Sequence, residues 1–228
     1  MKYWETRSEA LGHLESRLPH LKKLVDKAFT TLDNLIDVYN GAMASRPEQH
    51  FEYIVMCGCT LAKGKNLALA VFSLILDGLA QEAGAVGRPL MECCEKLEFL
   101  SKDPTRAIAF SQGKVLKHGK IAQQIENPQK GLRDYFSNHA SHISYSFYAM
   151  QHLIDWRDEA GLLRKFQPLV EDVLERNLWT LIAVTTRLGI QAGSCLYEIG
   201  IPTQEIAQEL EGLRVALLEE ADAREQAA

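Results

Sequence analysis

Residues 11–39 read LGHLESRLPHLKKLVDKAFTTLDNLIDVY. Leu11, Leu14, Leu18, Leu21, Leu24/Val25, Ala28, Leu32, Leu35/Ile36 and Tyr39 recur at steps of three and four, the spacing of one face of an α-helix. The pattern predicts one long amphipathic helix to about Ala42, bent at Pro19. Outward from it, the rest of the chain reads the same way. Arg46-Pro47 starts a second helix with Pro47 in its first turn, running through Tyr53, Ile54, Cys57 and Leu61. Lys63-Gly64-Lys65-Asn66 is expected to interrupt or kink it, and the apolar Leu67–Leu79 to form the central helix. Gly84 and Gly87 are expected to loosen the chain before helix resumes over Pro89–Leu100, with Leu90, Cys93/Cys94, Leu97 and Leu100 on one face. Asp103-Pro104 is a stop and restart, Asp103 as N-cap and Pro104 at N1.

Beyond it, a more polar helix is predicted from Thr105 to about Gln124 and a loop over Glu126–Gly131. Helix is predicted for most of Asp134–Trp156, and a turn over Arg157–Gly161. Another long helix runs from Leu163 to about Glu198, bent near Pro168. Gly200-Ile201-Pro202-Thr203 separates it from a final acidic helix, about Gln204–Ala221. β-branched alternation, hairpin turns, fixed-period repeats and long Pro/Ser/Gly linkers are absent. The expectation is a single all-α domain over 1–228, a bundle of about six to eight helices. Flanking long helices are expected over 6–43 and 163–221.

Composition agrees. Of 228 residues, 46% are hydrophobic and 24% charged, enough apolar surface for a real core. The net charge is −5, from 25 Lys+Arg against 30 Asp+Glu. No overall field draws the chain to nucleic acid or anionic membrane, so such contact needs a local patch. Cys57, Cys59, Cys93, Cys94 and Cys195 form no CxxC pair, and Met1–Ala10 is charged with no apolar segment. A cytoplasmic protein with reduced thiols is expected. A zinc site on Cys57-x-Cys59 or Cys93-Cys94 lacks histidines at the usual spacing. The longest apolar runs, Leu67–Ala80 and Leu178–Ile190, contain Asp77 and Arg187. Both fall short of the ~20 residues a bilayer span requires, so no membrane span is expected.

No GxGxxG, P-loop, GxSxG or HExxH occurs, and no histidine lies in Glu-x-x-His. A ferritin-like metal bundle is thereby excluded, and neither metal nor cofactor is expected. Three clusters remain. The first is Gly87-Arg88-Pro89-Leu90-Met91-Glu92, continuing to Asp103-Pro104. There Arg88, Glu92 and Glu95 lie opposite the Leu90/Leu97 stripe, as a solvated i,i+4 pair or as a pair that faces a second buried surface and orients a site. The second is Gly131-Leu132-Arg133-Asp134-Tyr135-Phe136-Ser137-Asn138-His139-Ala140-Ser141-His142. Its residue types suit phosphodiester cleavage without a metal. A histidine titrating near neutrality can move a proton, and an arginine can neutralise charge on phosphoryl oxygens. Lys114, Lys117, Lys120, Lys130 and Arg133 make this stretch locally basic. Its structural alternative is a solvated basic loop with helix-packing histidines. The third is the stripe His142, Tyr145, Ala149, His152 and Trp156, which reads as core packing or as a base-stacking face.

The first two clusters together resemble a family. The run Gly84–Pro104 is similar to the R-x-x-x-E … L-x-x-D-P segment of DUF5677-type proteins, and Tyr135-x-Ser137 … Ser141-His142 to their later Tyr-Ser-His segment. Those proteins resemble the wider HEPN superfamily, helical bundles of prokaryotic toxin–antitoxin, abortive-infection and CRISPR-associated systems. Many of its members are metal-independent ribonucleases that act as dimers. Their signature is Arg, a polar residue, and His after four to six residues in all, and Arg133-Asp134-x4-His139 fits it.

The resemblance covers about residues 50–155. It implies Arg133 and His139 as catalytic pair, with Asp134 as the polar neighbour and Arg88 and Glu92 in support. Tyr135, Asn138, Ser141, His142 and Lys130 would bind substrate. It further implies RNA as substrate, an antitoxin or other defence-system protein as partner, and a homodimer. Two departures stand out. Pro89 directly follows Arg88 and biases it out of the α region, so Arg88 is expected to cap the helix. In an unbroken helix Arg133 and His139 would lie about 120° apart, so Arg133 is expected in the loop, with helix starting near Ser137 or Asn138. The alternative reading is a non-catalytic helical interaction or ligand-binding module.

Overall fold

The computed structural model describes residues 4–45, 48–114, 116–125, 130–137, 153–155, 162–163 and 169–227. Among these the fold is all-α. Its helices are α1 (Glu5–Ser16), α2 (Pro19–Ala44), α3 (Phe51–Leu76), α4 (Ala80–Ser101) and α5 (Arg106–Ser111). They continue as α6 (His118–Ala122), α7 (Lys130–Tyr135), α8 (Glu171–Glu198) and α9 (Gln204–Ala227). One short antiparallel pair, β1 (Ile154–Asp155) with β2 (Leu162–Leu163), is the sole extended pairing among the described residues.

The period read from residues 11–39 holds, but as two helices. Pro19 drives Leu18 out of the helical region, and α1 ends with the Arg17 N–H on the His13 carbonyl at 2.8 Å. Leu14, Leu18, Leu21, Val25, Ala28, Leu32, Leu35 and Tyr39 are all buried, while Leu11 is exposed. The kink expected at Lys63–Asn66 is absent, and α3 runs through it. Gly64 serves packing instead: a Cβ there would lie 2.7 Å from Cδ2 of Leu188. The unbroken α3 is 26 residues long, with mean hydropathy 1.4 in its most apolar window. By length and composition it is the one described helix able to cross a membrane, and 39% of that window is buried in the protein.

Gly78, at φ +74°, ends α3. The Leu79 N–H reaches the Leu74 carbonyl at 2.9 Å and the Gly78 N–H reaches Ile75 at 3.1 Å, the pairing of a left-handed helix C-terminus. Helix α4 then continues through Gly84, Gly87 and Pro89 without a break. The cap read at Asp103 with Pro104 at N1 is corrected: the next helix begins at Arg106 with Thr105 as N-cap, and Asp103 stands two residues earlier, accepting the Thr105 N–H at 3.0 Å and its hydroxyl at 2.6 Å. The polar helix expected to Gln124 is instead split into α5 and α6 after Gly113, at φ +77°.

Of the helix expected over Asp134–Trp156, residues 134 and 135 close α7, while Ile154 and Asp155 are extended. The long helix expected from Leu163 starts at Glu171, because Leu162 and Leu163 pair with β1. Pro168 lies outside the described residues. The last helix reaches Ala227 rather than Ala221.

The chain divides into two compact units. The first comprises Met1–Lys23, Leu67–Pro89 and Pro128–Leu181, the second Leu24–Asn66, Leu90–Asn127 and Ile182–Ala228. In the first, Arg7 of α1 holds Asp77 through two nitrogens at 2.7 Å each, over buried Ala10, Leu14, Val71 and Ile75. His13 Nδ1 lies 3.2 Å from Glu171 at the start of α8.

In the second unit, residues 90–100 of α4 are the buried centre, a role the sequence suggested for Leu67–Leu79, where Leu69 is 43% exposed. Arg187 of α8 donates to Glu98 of α4 at 2.7 Å, both side chains under a tenth exposed. Around this pair, the Cys195 thiol approaches the Leu97 carbonyl at 3.4 Å and the Cys94 thiol the Val184 carbonyl at 3.7 Å. The Tyr39 hydroxyl donates to Ala192 O at 2.8 Å. Gly189 gives room to Leu210 of α9, whose Cδ2 lies 2.6 Å from where a Cβ would stand.

Two outcomes follow. Arg187→Ala leaves the Glu98 carboxylate buried without this partner and is expected to cost about 3–5 kcal/mol in urea unfolding. Arg7→Ala, at a half-exposed pair, should cost about 1 kcal/mol or less. Equal costs would contradict the ranking.

The second outcome concerns pH. Burial pushes the Cys94 thiol up to about 12, against an opposing pull from Arg187, and the Cys93 thiol up to about 11. The folded state therefore keeps protons that the unfolded chain releases near pH 9. Stability present below pH 9 is lost as pH rises from 9 toward 11–12, at about 1.4 kcal/mol per pH unit for each thiol. Urea titrations at pH 8 and 10 check the sign. A thiol reagent at pH 8 should label exposed Cys59 well before Cys94.

Candidate functional site

In the first unit, the segment read as catalytic opens with α7. Lys130 and Gly131 are exposed at its start. Arg133 lies in its last turn, so the loop position expected for it is corrected. Its guanidinium is 3.6 Å from the Asp134 carboxylate, with side-chain exposures of 21% and 47%. Tyr135 is 51% exposed, its ring 6.0 Å from that of Phe136. After Tyr135 the winding widens to π-type at Phe136 and Ser137.

Phe136 is buried against α4. A Cβ on Gly87 would lie 2.9 Å from Cε2 of that ring. The glycine read as a loosening point is thus the seat of Phe136. This contact brings together the two clusters that the sequence offered separately, around Gly87 and around Arg133–Phe136. Arg88, the next residue, is half-buried and helical. The expected cap at Arg88 is therefore not formed. Pro89 biases its predecessor but only removes the N–H due to the Ala85 carbonyl. Asn138, His139, Ser141 and His142 lie outside the described residues, as do Tyr145, Ala149, His152 and Trp156.

In the second unit, Glu92 sits one helical turn after Arg88. Its carboxylate is 3.5 Å from Nε2 of His118, at the start of α6. His118 Nδ1 is buried with no hydrogen-bond partner among the described residues. No sequence signal picked out His118, because its partner lies 26 positions away on another helix. Glu95, read as opposite the apolar stripe, is fully buried. The reason is that residues 90–100 of α4 are enclosed on more than one side, so the polar face of the helix is interior as well. Lys114, Lys117 and Lys120 are exposed. Among the described residues no three of His, Cys, Asp and Glu gather as a metal-ligand set.

The described residues thus place a largely buried arginine near a carboxylate, with an exposed tyrosine and an exposed lysine, on one short helix. No protein-family model, no curated protein and no solved structure matches the chain.

Proposed function

We propose that the protein is a metal-independent endoribonuclease of the HEPN-like kind, with Arg133 and His139 as its catalytic pair. The observation that carries this reading is the seating of Phe136 on Gly87, which joins the two segments on which the resemblance rests. In the proposed reaction the substrate 2′-hydroxyl attacks the adjacent phosphorus. His139 moves the proton as general base or acid, and the 5′-oxygen leaves. Arg133 neutralises charge on the phosphoryl oxygens. Tyr135, Asn138, Ser141, His142 and Lys130 hold the strand, and Asp134 orients Arg133. A protein partner of antitoxin type and a cytoplasmic, defence-related setting belong to the same proposal.

His139→Ala is expected to lower RNA cleavage on the order of 10²–10⁴-fold while the fold is kept. Arg133→Ala should do the same, since the two act as a unit, and His13→Ala should change little. Cleavage should persist in EDTA. Absence of EDTA-resistant cleavage, with an Arg133/His139 double variant indistinguishable from the parent in the cell, would make the chain a non-catalytic helical module.

A further inference from the structure

The interior of the second unit holds a pair of thiols from two distant parts of the chain. Tyr53 and Cys57 are one turn apart on α3 and share its buried face, at 3% and 0% exposure. Tyr39 of α2 ties this face to α8. A Cβ on Gly58 would lie 3.3 Å from Cδ1 of its ring, and its hydroxyl donates to Ala192 O at 2.8 Å. Cys195, one turn beyond Ala192, is fully buried, with its thiol 3.4 Å from the Leu97 carbonyl of α4. The Cys57 and Cys195 thiols are within hydrogen-bonding reach of each other, and the Tyr53 hydroxyl lies beside both. That hydroxyl is buried and makes no hydrogen bond among the described residues. Cys59, the neighbour that the sequence offered Cys57, is about 200° away around α3 and exposed.

A buried donor without an acceptor is costly and calls for a reason. Two thiols and an idle O–H suit a ligand that converts the thiols to thiolates, since the hydroxyl then gains an acceptor. A metal ion does this. Zinc asks for four donors in a tetrahedron, and among the described residues no three of His, Cys, Asp and Glu gather. Cu(I) is soft, selects thiolate, and is satisfied by two sulfurs in line. We propose that Cys57 and Cys195 form a two-thiolate site for Cu(I), with the Tyr53 hydroxyl donating to the bound sulfurs. On binding, two S–H bonds break, two Cu–S bonds form, two protons leave to solvent, and copper stays Cu(I). Met56 and Cys59 flank Cys57 on the same turn, reach solvent and carry soft sulfur themselves, so an arriving ion meets thioether and thiol at the surface of this turn. The proposal is independent of the ribonuclease reading.

The test uses the full chain as Cys59→Ser/Cys93→Ser, reduced and anaerobic, so that the exposed and half-exposed thiols do not contribute. Titrated with Cu(I) bicinchoninate, this protein should take one Cu(I) per chain from the chelator. X-ray absorption at the copper edge should show two sulfur neighbours and no nitrogen or oxygen. Adding Cys57→Ala or Cys195→Ala should lower the affinity by more than about a hundredfold. Tyr53→Phe, which keeps the ring, should lower it by about tenfold, as a lost outer-shell hydrogen bond does. Helicity by circular dichroism should be unchanged in all of them. Uptake below one copper per chain overturns the proposal. So does an affinity unchanged by both alanine variants, one unchanged by Tyr53→Phe, or a copper edge with nitrogen or oxygen neighbours. The edge is read with Cys57 and Cys195 in place, so it decides whether or not the alanine variants fold.

Discussion

The ion pair between Glu98 and Arg187 is the constraint around which the second unit is arranged. Arg187 lies in the apolar run Leu178–Ile190, so α8 carries a charge into the core, where desolvation is costly unless a partner is fixed in place. At 2.7 Å that partner is Glu98, and the contact admits one register of α8 against α4. A slip by a turn would strand both charges. The same register lets Cys195 meet the Leu97 carbonyl and Cys94 the Val184 carbonyl. It also sets Leu188 against Gly64 and Gly189 against Leu210. Gly64 on α3 and Gly189 on α8 are therefore close-approach positions inside continuous helices.

This distinction explains what the sequence made legible. Apolar spacing in residues 11–39 depends on local geometry alone, and its buried positions are those observed, apart from Leu11. The boundary at Gly200–Thr203 is local in the same sense. Gly64 and Gly87 carry the same local signature as breakers, but each makes room for a side chain far away in the chain. Nothing in one sequence tells a glycine that ends a helix from one that admits Leu188 or Phe136. Gly78 and Gly113, which do end helices, take positive φ. Buried charge was illegible for a related reason: Glu95 and Glu98 have the spacing of a solvated face until α8 is placed beside them.

The candidate site divides the same way. Residue types and local charge drew attention to Arg133, Asp134, Tyr135 and Lys130, and these are accessible or partly so on α7. Their relation to α4 came only through Phe136 and Gly87. The proposed chemistry uses what the candidate site offers. In that proposal an arginine in the last turn of α7, near a carboxylate, meets phosphoryl oxygens, and His139 transfers the proton.

That chemistry leaves a signature on its product. Attack by the substrate's own 2′-hydroxyl gives a 2′,3′-cyclic phosphate on one fragment and a 5′-hydroxyl on the other. Mass spectrometry of the ends of an RNA oligonucleotide cleaved in EDTA reads this directly. Cyclic phosphate and 5′-hydroxyl ends are the expected result. A 3′-hydroxyl with a 5′-phosphate would mean that water attacked the phosphorus, and would contradict the roles proposed for Arg133 and His139.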